Sequence, residues 1–416
     1  MMTKALTRTV DIAYIFIFYV GFQGGKYYLE NRIQELGFVV VLTLFAYGAI
    51  KLAMQRADVK WGWWFWITPL IISYPMVISS VTYYLNTGSN FLYSFFAARE
   101  FLIIYLAPTI FFMYKLGYQI ERLEKMFIIS LALTIINYLF FYSILDLAAM
   151  ARGSSLYMSQ QVTWDAWRGY RLKPPTTGLF IGTSYCLIMI TQKIDFIKRI
   201  GIIILFSMLF FCWYMLLLRT QIATILVSFI LFPIFFSRPS RVNISVFSLP
   251  IVIVIILLFS GIFVEVFFEE DARRGLTARI CLETISEKPM LGFGTASYKG
   301  ISYQSLFGKQ FYPSDIGFLG VCFKYGILGG CIYLYLLLLI MFRGVKTNWY
   351  YSYYKKRVNP LLMSLVIWVI GTSINTILVP SLMFMQGLMI GSFMIGITAC
   401  YRDKFLQQIN LKKNNF

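Results

Sequence analysis

The sequence predicts an all-α integral membrane protein, and three observations support this fold class. Hydrophobic residues make up 59% of the 416 residues and charged residues only 13%, whereas soluble domains contain about 25% charged residues. The apolar residues lie in runs of about 18–22 residues, the length that crosses a bilayer as a helix. The basic residues lie in short tracts between these runs, as the topology signals of membrane proteins do.

The apolar runs predict about twelve transmembrane helices in a single polytopic domain over residues 1–416. Helices are expected because backbone polar groups in lipid must be satisfied within the spanning segment. The first run lacks a small-residue cleavage site, so we interpret it as a retained helix rather than a signal peptide. The predicted spans are 10–24, 36–54, 61–83, 100–118, 126–145, 178–191, 200–218, 221–237, 244–264, 317–342, 360–378 and 382–400.

The loops between these spans differ in charge, which predicts the orientation of the chain. If the N-terminus is cytoplasmic, the short outer loops hold only Lys26, Arg32, Arg99 and Arg219, and the short inner loops hold many more basic residues. This bias favours both termini on the cytoplasmic side. Two long loops, 146–177 and 265–316, then lie outside. Long loops cross the membrane largely regardless of their charge, so their basic residues do not contradict the orientation.

The end of the first long loop mixes aromatic and basic residues in the segment WDAWRGYRLKPPTTGLF. One interpretation is an interfacial aromatic belt with cations that reach toward water. The other is a site for sugar and phosphate, because aromatic faces stack on sugar rings and guanidinium groups bind phosphate oxygens in pairs. In that second interpretation Arg168, Arg171 and Lys173 bind substrate.

The second long loop contains the segment RGLTARICLETISEKPMLGFG, which predicts a short helix ended by Pro289 and followed by a Gly-Phe-Gly turn. Its basic residues Arg273, Arg274 and Arg279 are candidates for contact with an anionic substrate. Arg279 is also spaced for an intrahelical pair with Glu283, an alternative that contributes only about 0.2–0.5 kcal/mol.

Three further residues are candidates because of their depth in the membrane or their place at a helix start. Arg219 lies between two adjacent predicted spans, where it is either a snorkelling cation or a functional charge. Asp315 begins the tenth span, where it caps the helix or acts as a general base. Lys324 lies about two turns deeper and is expected to face the interior or a cavity.

Several other functional classes find little support in the sequence. The chain has a net charge of +19, and its basic residues flank the predicted spans. We attribute this charge to the orientation of the chain in the membrane and to contact with anionic membrane lipid rather than to nucleic acid. The chain has six cysteines and no histidine, and their spacing indicates neither a disulfide nor a metal site. With no nucleotide-binding loop apparent, we expect no metal, no cofactor and a lipid-linked donor.

The order of these motifs resembles a known family. The similarity lies in four motifs in this order: an outer loop ending in Arg and TTG, then LLLRTQIATILV, then Arg279 before the Gly-Phe-Gly turn, then SDIGFLGVCFKYGILGG. In these motifs the chain is similar to bacterial O-antigen polymerases (Wzy type) and O-antigen ligases (WaaL type). The resemblance covers about residues 168–342. It implies a GT-C-like helical bundle in the bacterial inner membrane with two long periplasmic loops. The implied activity is metal-independent glycosyl transfer from undecaprenyl diphosphate.

The resemblance also implies roles for particular residues. Arg219 and Arg279 match arginines of the family's site, and Arg171 with Gly182 matches one copy of the polymerases' RX10G pattern. The second copy is missing. Ligases carry His-Asn where this chain has Ser314 and Asp315, so Asp315 is the candidate base. The missing histidine favours a polymerase over a ligase.

Three functions are therefore weighed. The first is a polymerase of O-antigen or capsule type that moves glycan from undecaprenyl diphosphate onto a lipid-linked repeat unit, with a chain-length regulator as an expected partner protein. The second is a ligase that transfers the glycan to lipid A–core. The third, from another class, is a flippase or transporter, which the nearly uncharged predicted spans and the absence of paired repeats disfavour. The first predicts that Arg219→Ala or Arg279→Ala abolishes long-chain polysaccharide while the protein still inserts into the membrane.

Overall fold

The computed structural model describes residues 3–27, 32–55, 63–152, 161–165, 169–190, 192–216, 226, 272–296, 301–355, 357–376 and 381–414. These residues are mostly helical. The first half contains α1 Lys4–Gly21, α2 Arg32–Met54, α3 Trp63–Ser73, a π-helical turn Tyr74–Ile78, α4 Ser79–Thr87, α5 Phe91–Ala97, a 3-10 helix Arg99–Tyr105, α6 Leu106–Lys115, α7 Ile120–Ile144 and α8 Leu147–Arg152.

The rest begins with a short hairpin and continues as helices. Its elements are β1 Val162–Asp165, β2 Gly169–Leu172, α9 Thr176–Ile190, α10 Phe196–Leu216, α11 Ala272–Glu287, α12 Tyr303–Phe307, a 3-10 helix Pro313–Ile316, α13 Gly317–Lys355, α14 Pro360–Asn375, a 3-10 helix Ser381–Met383 and α15 Met385–Asn414.

Apolar helices support the prediction of a membrane protein. Four described helices are long and apolar enough to cross a membrane, or up to five when the bent pair Phe91–Ala97 and Arg99–Lys115 counts as one span. Helices also lie at ten of the twelve predicted intervals. Of the other two, 244–264 falls outside the described residues, and in 221–237 only residue 226 is described. The number of twelve crossings stays a prediction.

Aromatic side chains fill the centre of the bundle. Phe127 of α7 stacks on Phe393 of α15 at 4.5 Å between ring centroids, and Phe18 of α1 meets both rings edge-on. Helix α15 also packs along α6, and α9 packs between α10 and α14. Close-packed aromatic rings of this kind bury large apolar areas and fix the relative positions of the helices.

Ion pairs join the helix ends at one end of the bundle. Lys115 binds Asp403, and Lys404 binds Glu121, each at 2.6 Å between nitrogen and oxygen. Arg122 binds the carboxylate of Asp11 through two nitrogens. We call this end the ion-pair end. If successive predicted spans cross the membrane in opposite directions from a cytoplasmic N-terminus, most of these residues lie at or near the cytoplasmic ends of their spans.

The first long loop contains a structure that the all-α prediction missed. Strands β1 and β2 form an antiparallel hairpin in which Thr163 pairs with Arg171 and Val162 pairs with Leu172. Gly169 opens β2 at φ 68°. The two strands were hard to recognise in the sequence because the aromatic and basic residues of WDAWRGYRL also fit an interfacial belt. The hairpin orients Arg171 and Thr163 toward the same side of the sheet.

The predicted Gly-Phe-Gly turn docks on a break in α13. The backbone N–H groups of Phe293 and Gly294 donate to the carbonyls of Phe323 and Lys324 at 2.7 and 3.0 Å, and Ile327 donates to Pro289 at 2.8 Å. A helix break leaves carbonyls without their usual partners. The turn supplies those partners, which fixes the second long loop against the start of α13.

A small aromatic cluster covers this junction. Cys281, Tyr303, Phe311 and Phe323 are buried together, and Phe293 stacks on Phe323 at 5.6 Å. The lone cysteine of the loop is therefore a core residue, and burial raises the pKa of its thiol. Tyr83 of α4 completes the cluster, which gives this junction an apolar core separate from the main core of the bundle.

Gly326→Ala is expected to disrupt this junction. Gly326 has φ 66° and ψ −177° inside α13, a conformation that essentially only glycine adopts and that costs other residues about 1–3 kcal/mol. A Cβ there would also lie 2.1 Å from the carbonyl oxygen of Met290. We expect a clear fall in the thermal unfolding temperature of the purified protein. Gly201→Ala is the control, because a Cβ at Gly201 meets nothing within 4 Å; equal stability of both variants would contradict this account of the break.

Candidate functional site

A large polar cavity lies at the end of the bundle opposite the ion-pair end. Its volume is about 930 Å³, within the roughly 300–1,000 Å³ of small-molecule sites. Both long loops contribute to its walls, together with the α1–α2 connection, the end of α14 and the start of α15. These segments are the ones that alternation of the predicted spans assigns to the outer side.

Three residues predicted from sequence line this cavity: Arg171, Lys173 and Asp315. Arg171 is held by the hairpin and is only 8% exposed. Its Nη1 donates to the carbonyl of Met215 near the end of α10 at 2.7 Å, which fixes the guanidinium against the cavity wall. Lys173 follows the hairpin directly and its side chain is exposed. The two cations reach the cavity because the hairpin ends at its rim.

Lys26 is a third cation in the lining that sequence reasoning did not select. It is 7% exposed, and its Nζ lies 3.5 Å from the carbonyl of Pro174 and 5.0 Å from the centre of the Tyr27 ring. Burial, with a smaller effect from the positive charge of Lys173, lowers the pKa of Lys26 to about 7. The ammonium is therefore close to titration at neutral pH, and a bound anion would favour its charged form.

Two carboxylates face the same cavity. Asp315 is exposed on the 3-10 helix before α13, with the Ser314 hydroxyl 3.3 Å from its Oδ1. Glu100, which sequence reasoning also missed, accepts a hydrogen bond from the backbone N–H of Met385 at 3.1 Å. The available signal was the second residue of the run REFLIIYLA, because Glu100 falls inside the predicted span 100–118 and an ionisable residue within a span is a functional candidate.

Lys324 lies behind these carboxylates and outside the described lining. It is half-buried, and the charges of Glu100 and Asp315 both act on it electrostatically. Its backbone carbonyl is the acceptor for Gly294. Lys324 therefore links the docked turn to the acidic side of the cavity rather than facing the substrate space.

The other predicted site residues are separate from this cavity or lie outside the described residues. Arg279 is 79% exposed on α11, where it pairs with Glu283 at 3.0 Å, the alternative that its spacing allowed. Neither Arg279 nor Arg274 is among the described lining residues. Arg168 and Arg219 lie outside the described residues, as does the side chain of Arg273. The catalytic role of Arg219 and Arg279 stays a prediction.

The remaining lining suits a hydroxyl-rich molecule with an apolar part. Amide and hydroxyl groups project from several elements, and Trp368, Phe180 and Phe384 add ring surface. Amides and hydroxyls both donate and accept hydrogen bonds, and rings provide faces for stacking. The neutral polar lining residues are Gln23, Gln34, Gln161, Thr163, Thr176, Thr177, Tyr312, Ser314, Thr372, Asn375 and Gln386.

Gly182, the second residue of the RX10G pattern, has a packing role. It lies in α9, where an added Cβ would come within about 3.0 Å of Leu131 and 3.1 Å of Leu209. The glycine therefore brings α9 close to α7 and α10. Arg171 contacts the same helix α10 further along, at Met215.

Within the described ranges, no group of three or more His, Cys, Asp or Glu side chains is arranged to hold a metal ion. No model of a known protein family matches the chain, and no curated protein matches its sequence. The site is therefore interpreted from its own geometry and charge.

Proposed function

We propose that the protein is a polysaccharide polymerase that transfers glycan from a polyprenyl diphosphate onto a lipid-linked repeat unit. The observation that carries this proposal is the meeting of Arg171, Lys173 and Lys26 with two carboxylates in one polar cavity. Segments far apart in sequence contribute these groups. Cations from several segments suit a double phosphate, and the neutral polar lining suits the attached sugars.

The proposed reaction is a substitution at the anomeric carbon of the donor. A hydroxyl of the acceptor sugar forms the new C–O bond while the bond to the diphosphate breaks, and the diphosphate leaves with the electron pair. Arg171, Lys173 and Lys26 neutralise the charge that develops on this leaving group, as preorganised donors do in other enzymes. The proton of the acceptor hydroxyl passes to a carboxylate.

We assign the base to Asp315 and a positioning role to Glu100. Asp315 is exposed to the cavity, so a sugar hydroxyl can approach it. Glu100 already accepts the Met385 N–H and interacts with Lys324, which suits a fixed charge that orients its neighbours. A positioned general base contributes roughly 10²–10⁴-fold to a rate.

The proposal includes the finer topology. It places a twelve-span, GT-C-like bundle in the bacterial inner membrane, with both termini cytoplasmic and the cavity on the periplasmic side. The apolar helices support a membrane location in general. The clustering of the predicted outer segments around the cavity, and of predicted inner residues at the ion-pair end, supports this orientation.

Purified protein in liposomes with lipid-linked repeat units, and without lipid A–core, tests the activity. The proposal expects a ladder of oligomers attached to the polyprenyl diphosphate. Transfer that occurs only after lipid A–core is added would instead identify a ligase. Passage of labelled lipid-linked sugar across the liposome membrane with no ladder would identify a flippase and contradict the proposal.

Substrate binding is expected to take up a proton at Lys26. Because the pKa of Lys26 lies at about 7, the Lys26 side chain of the empty site is mostly neutral at pH 8.5. A bound anion favours its protonated, charged form. Affinity for a short-chain prenyl diphosphate sugar is then expected to fall by up to roughly tenfold per pH unit above 7. The sign follows because the bound form holds more protons than the free form.

Titration calorimetry in buffers of different ionisation enthalpy measures this uptake directly. Lys26→Met is expected to abolish the proton uptake, and Lys26→Arg to bind with little dependence on pH between 7 and 9. Lys309→Met, on the exposed surface of the second long loop, is the control. Wild-type binding without proton uptake at pH 8.5 would contradict the role of Lys26.

A further inference from the structure

A second cavity lies between α13 and α15 toward the ion-pair end, separate from the candidate site. Its volume is about 640 Å³. On α13, Tyr335, Leu339, Arg343 and Lys346 follow one another at intervals of three or four residues, so they share one face of the helix. On α15, Ala399 and Arg402 do the same. The two faces enclose a space with apolar walls and three cations.

The described lining of this cavity contains three cations and no acidic residue. Arg343 is half-buried, and the positive charge of Arg402 acts on it. The acid next to Arg402 in sequence, Asp403, points toward α6, where it binds Lys115 at 2.6 Å. The cations of this cavity therefore form a concentration of like charge beside an apolar surface.

The order of residues along the helices matches the order of groups in a phospholipid. The apolar run of α13 ends at Phe342, Arg343 follows directly, and Lys346 follows about one helical turn later. Tyr335 and Leu339 precede the cations of α13 and belong to its apolar run. On α15, Ala399 likewise precedes Arg402. A phosphate can lie against the cations while acyl chains pass the apolar residues.

We propose that this cavity binds an anionic diacyl phospholipid of the membrane leaflet at the ion-pair end. The phosphate lies between Arg343, Lys346 and Arg402, and the acyl chains lie along Tyr335, Leu339 and Ala399. A free phosphate ion shares the charge but leaves the apolar walls uncovered. A zwitterionic phospholipid shares the chains but adds a cation beside three others. The anionic lipid satisfies both halves of the cavity.

Native mass spectrometry of the delipidated, detergent-solubilised full chain tests the proposal. Phosphatidylglycerol is expected to bind more tightly than phosphatidylethanolamine with the same acyl chains. Each cation near a lipid surface contributes about 1 kcal/mol, so Arg343→Gln/Arg402→Gln is expected to weaken phosphatidylglycerol binding by about 30-fold. Lys198→Gln/Arg199→Gln, an exposed pair at the start of α10, removes the same charge elsewhere and is expected to leave binding unchanged.

Further experiments distinguish a bound phospholipid from a free phosphate ion and separate a loss of binding from misfolding of a variant. Ala399→Trp keeps every charge but fills the apolar end, and it is expected to weaken binding as well. Inorganic phosphate at millimolar concentration is not expected to displace the lipid. Equal binding of both phospholipids, or wild-type binding in both the Arg343/Arg402 and Ala399 variants, would overturn the proposal. Displacement by inorganic phosphate, or tighter binding of a polyprenyl monophosphate, would also overturn it.

Discussion

Arg171→Ala is expected to cause a severe loss of polymer formation. The guanidinium is buried, fixed by the Met215 carbonyl and placed beside Lys173 and Lys26. Loss of one preorganised donor to developing negative charge costs roughly 10²–10³-fold in turnover. Arg171→Lys keeps the charge but loses the planar fork, so we expect it to recover only part of the activity.

The control for Arg171 must separate charge loss from damage to the fold. Arg152→Ala removes an exposed arginine from the same long loop and is expected to elongate chains normally. The readout is the rate of ladder growth in liposomes, together with the unfolding temperature of each variant. A stable Arg171→Ala protein that elongates like Arg152→Ala would contradict the assignment of Arg171 to the leaving group.

Asp315→Asn is expected to give the second large loss, of roughly 10²–10⁴-fold in elongation rate. The amide keeps the shape of the side chain but cannot accept the proton, so donor binding should stay within a few-fold of wild type. Asp315→Glu keeps a carboxylate and is expected to restore part of the rate. Glu287→Gln, on the exposed surface of α11, is the matched control.

Glu100→Gln distinguishes the two carboxylates of the cavity. Because we assign Glu100 a positioning role, its variant is expected to weaken both donor binding and rate, whereas Asp315→Asn is expected to lower the rate and to leave donor binding within a few-fold of wild type. If Glu100→Gln lowers only the rate and Asp315→Asn keeps the wild-type rate, the base is Glu100 and our assignment is wrong.

Local patterns in the sequence predicted the helical intervals well, because apolar runs of bilayer length are strong signals. They also selected Arg171, Lys173 and Asp315, which lie in one cavity although more than a hundred residues separate Lys173 from Asp315. The hairpin that carries Arg171 was missed. Its short strands alternate aromatic and basic residues, a composition that an interfacial belt shares.

Lys26 and Glu100 were missed for a different reason. Each lies at or just outside the end of a predicted span, and its place in the cavity depends on how α1, α6 and α15 pack together. The Gly-Phe-Gly turn was recognised as a turn, but only the fold reveals that it docks on the break at Gly326. Arg279 had two interpretations from spacing alone, and the structure has it paired with Glu283 on an exposed face.

The most direct test of the central claim asks whether the diphosphate-linked glycan lies in the cavity that the two long loops share. A photoreactive phenylalanine analogue replaces Tyr312, an exposed tyrosine of the cavity lining, or Tyr353, an exposed tyrosine toward the ion-pair end. Irradiation with a radiolabelled lipid-linked repeat unit is expected to label the Tyr312 variant and not the Tyr353 variant. An active Tyr312 variant that takes up no label, or equal labelling at both positions, would contradict the claim.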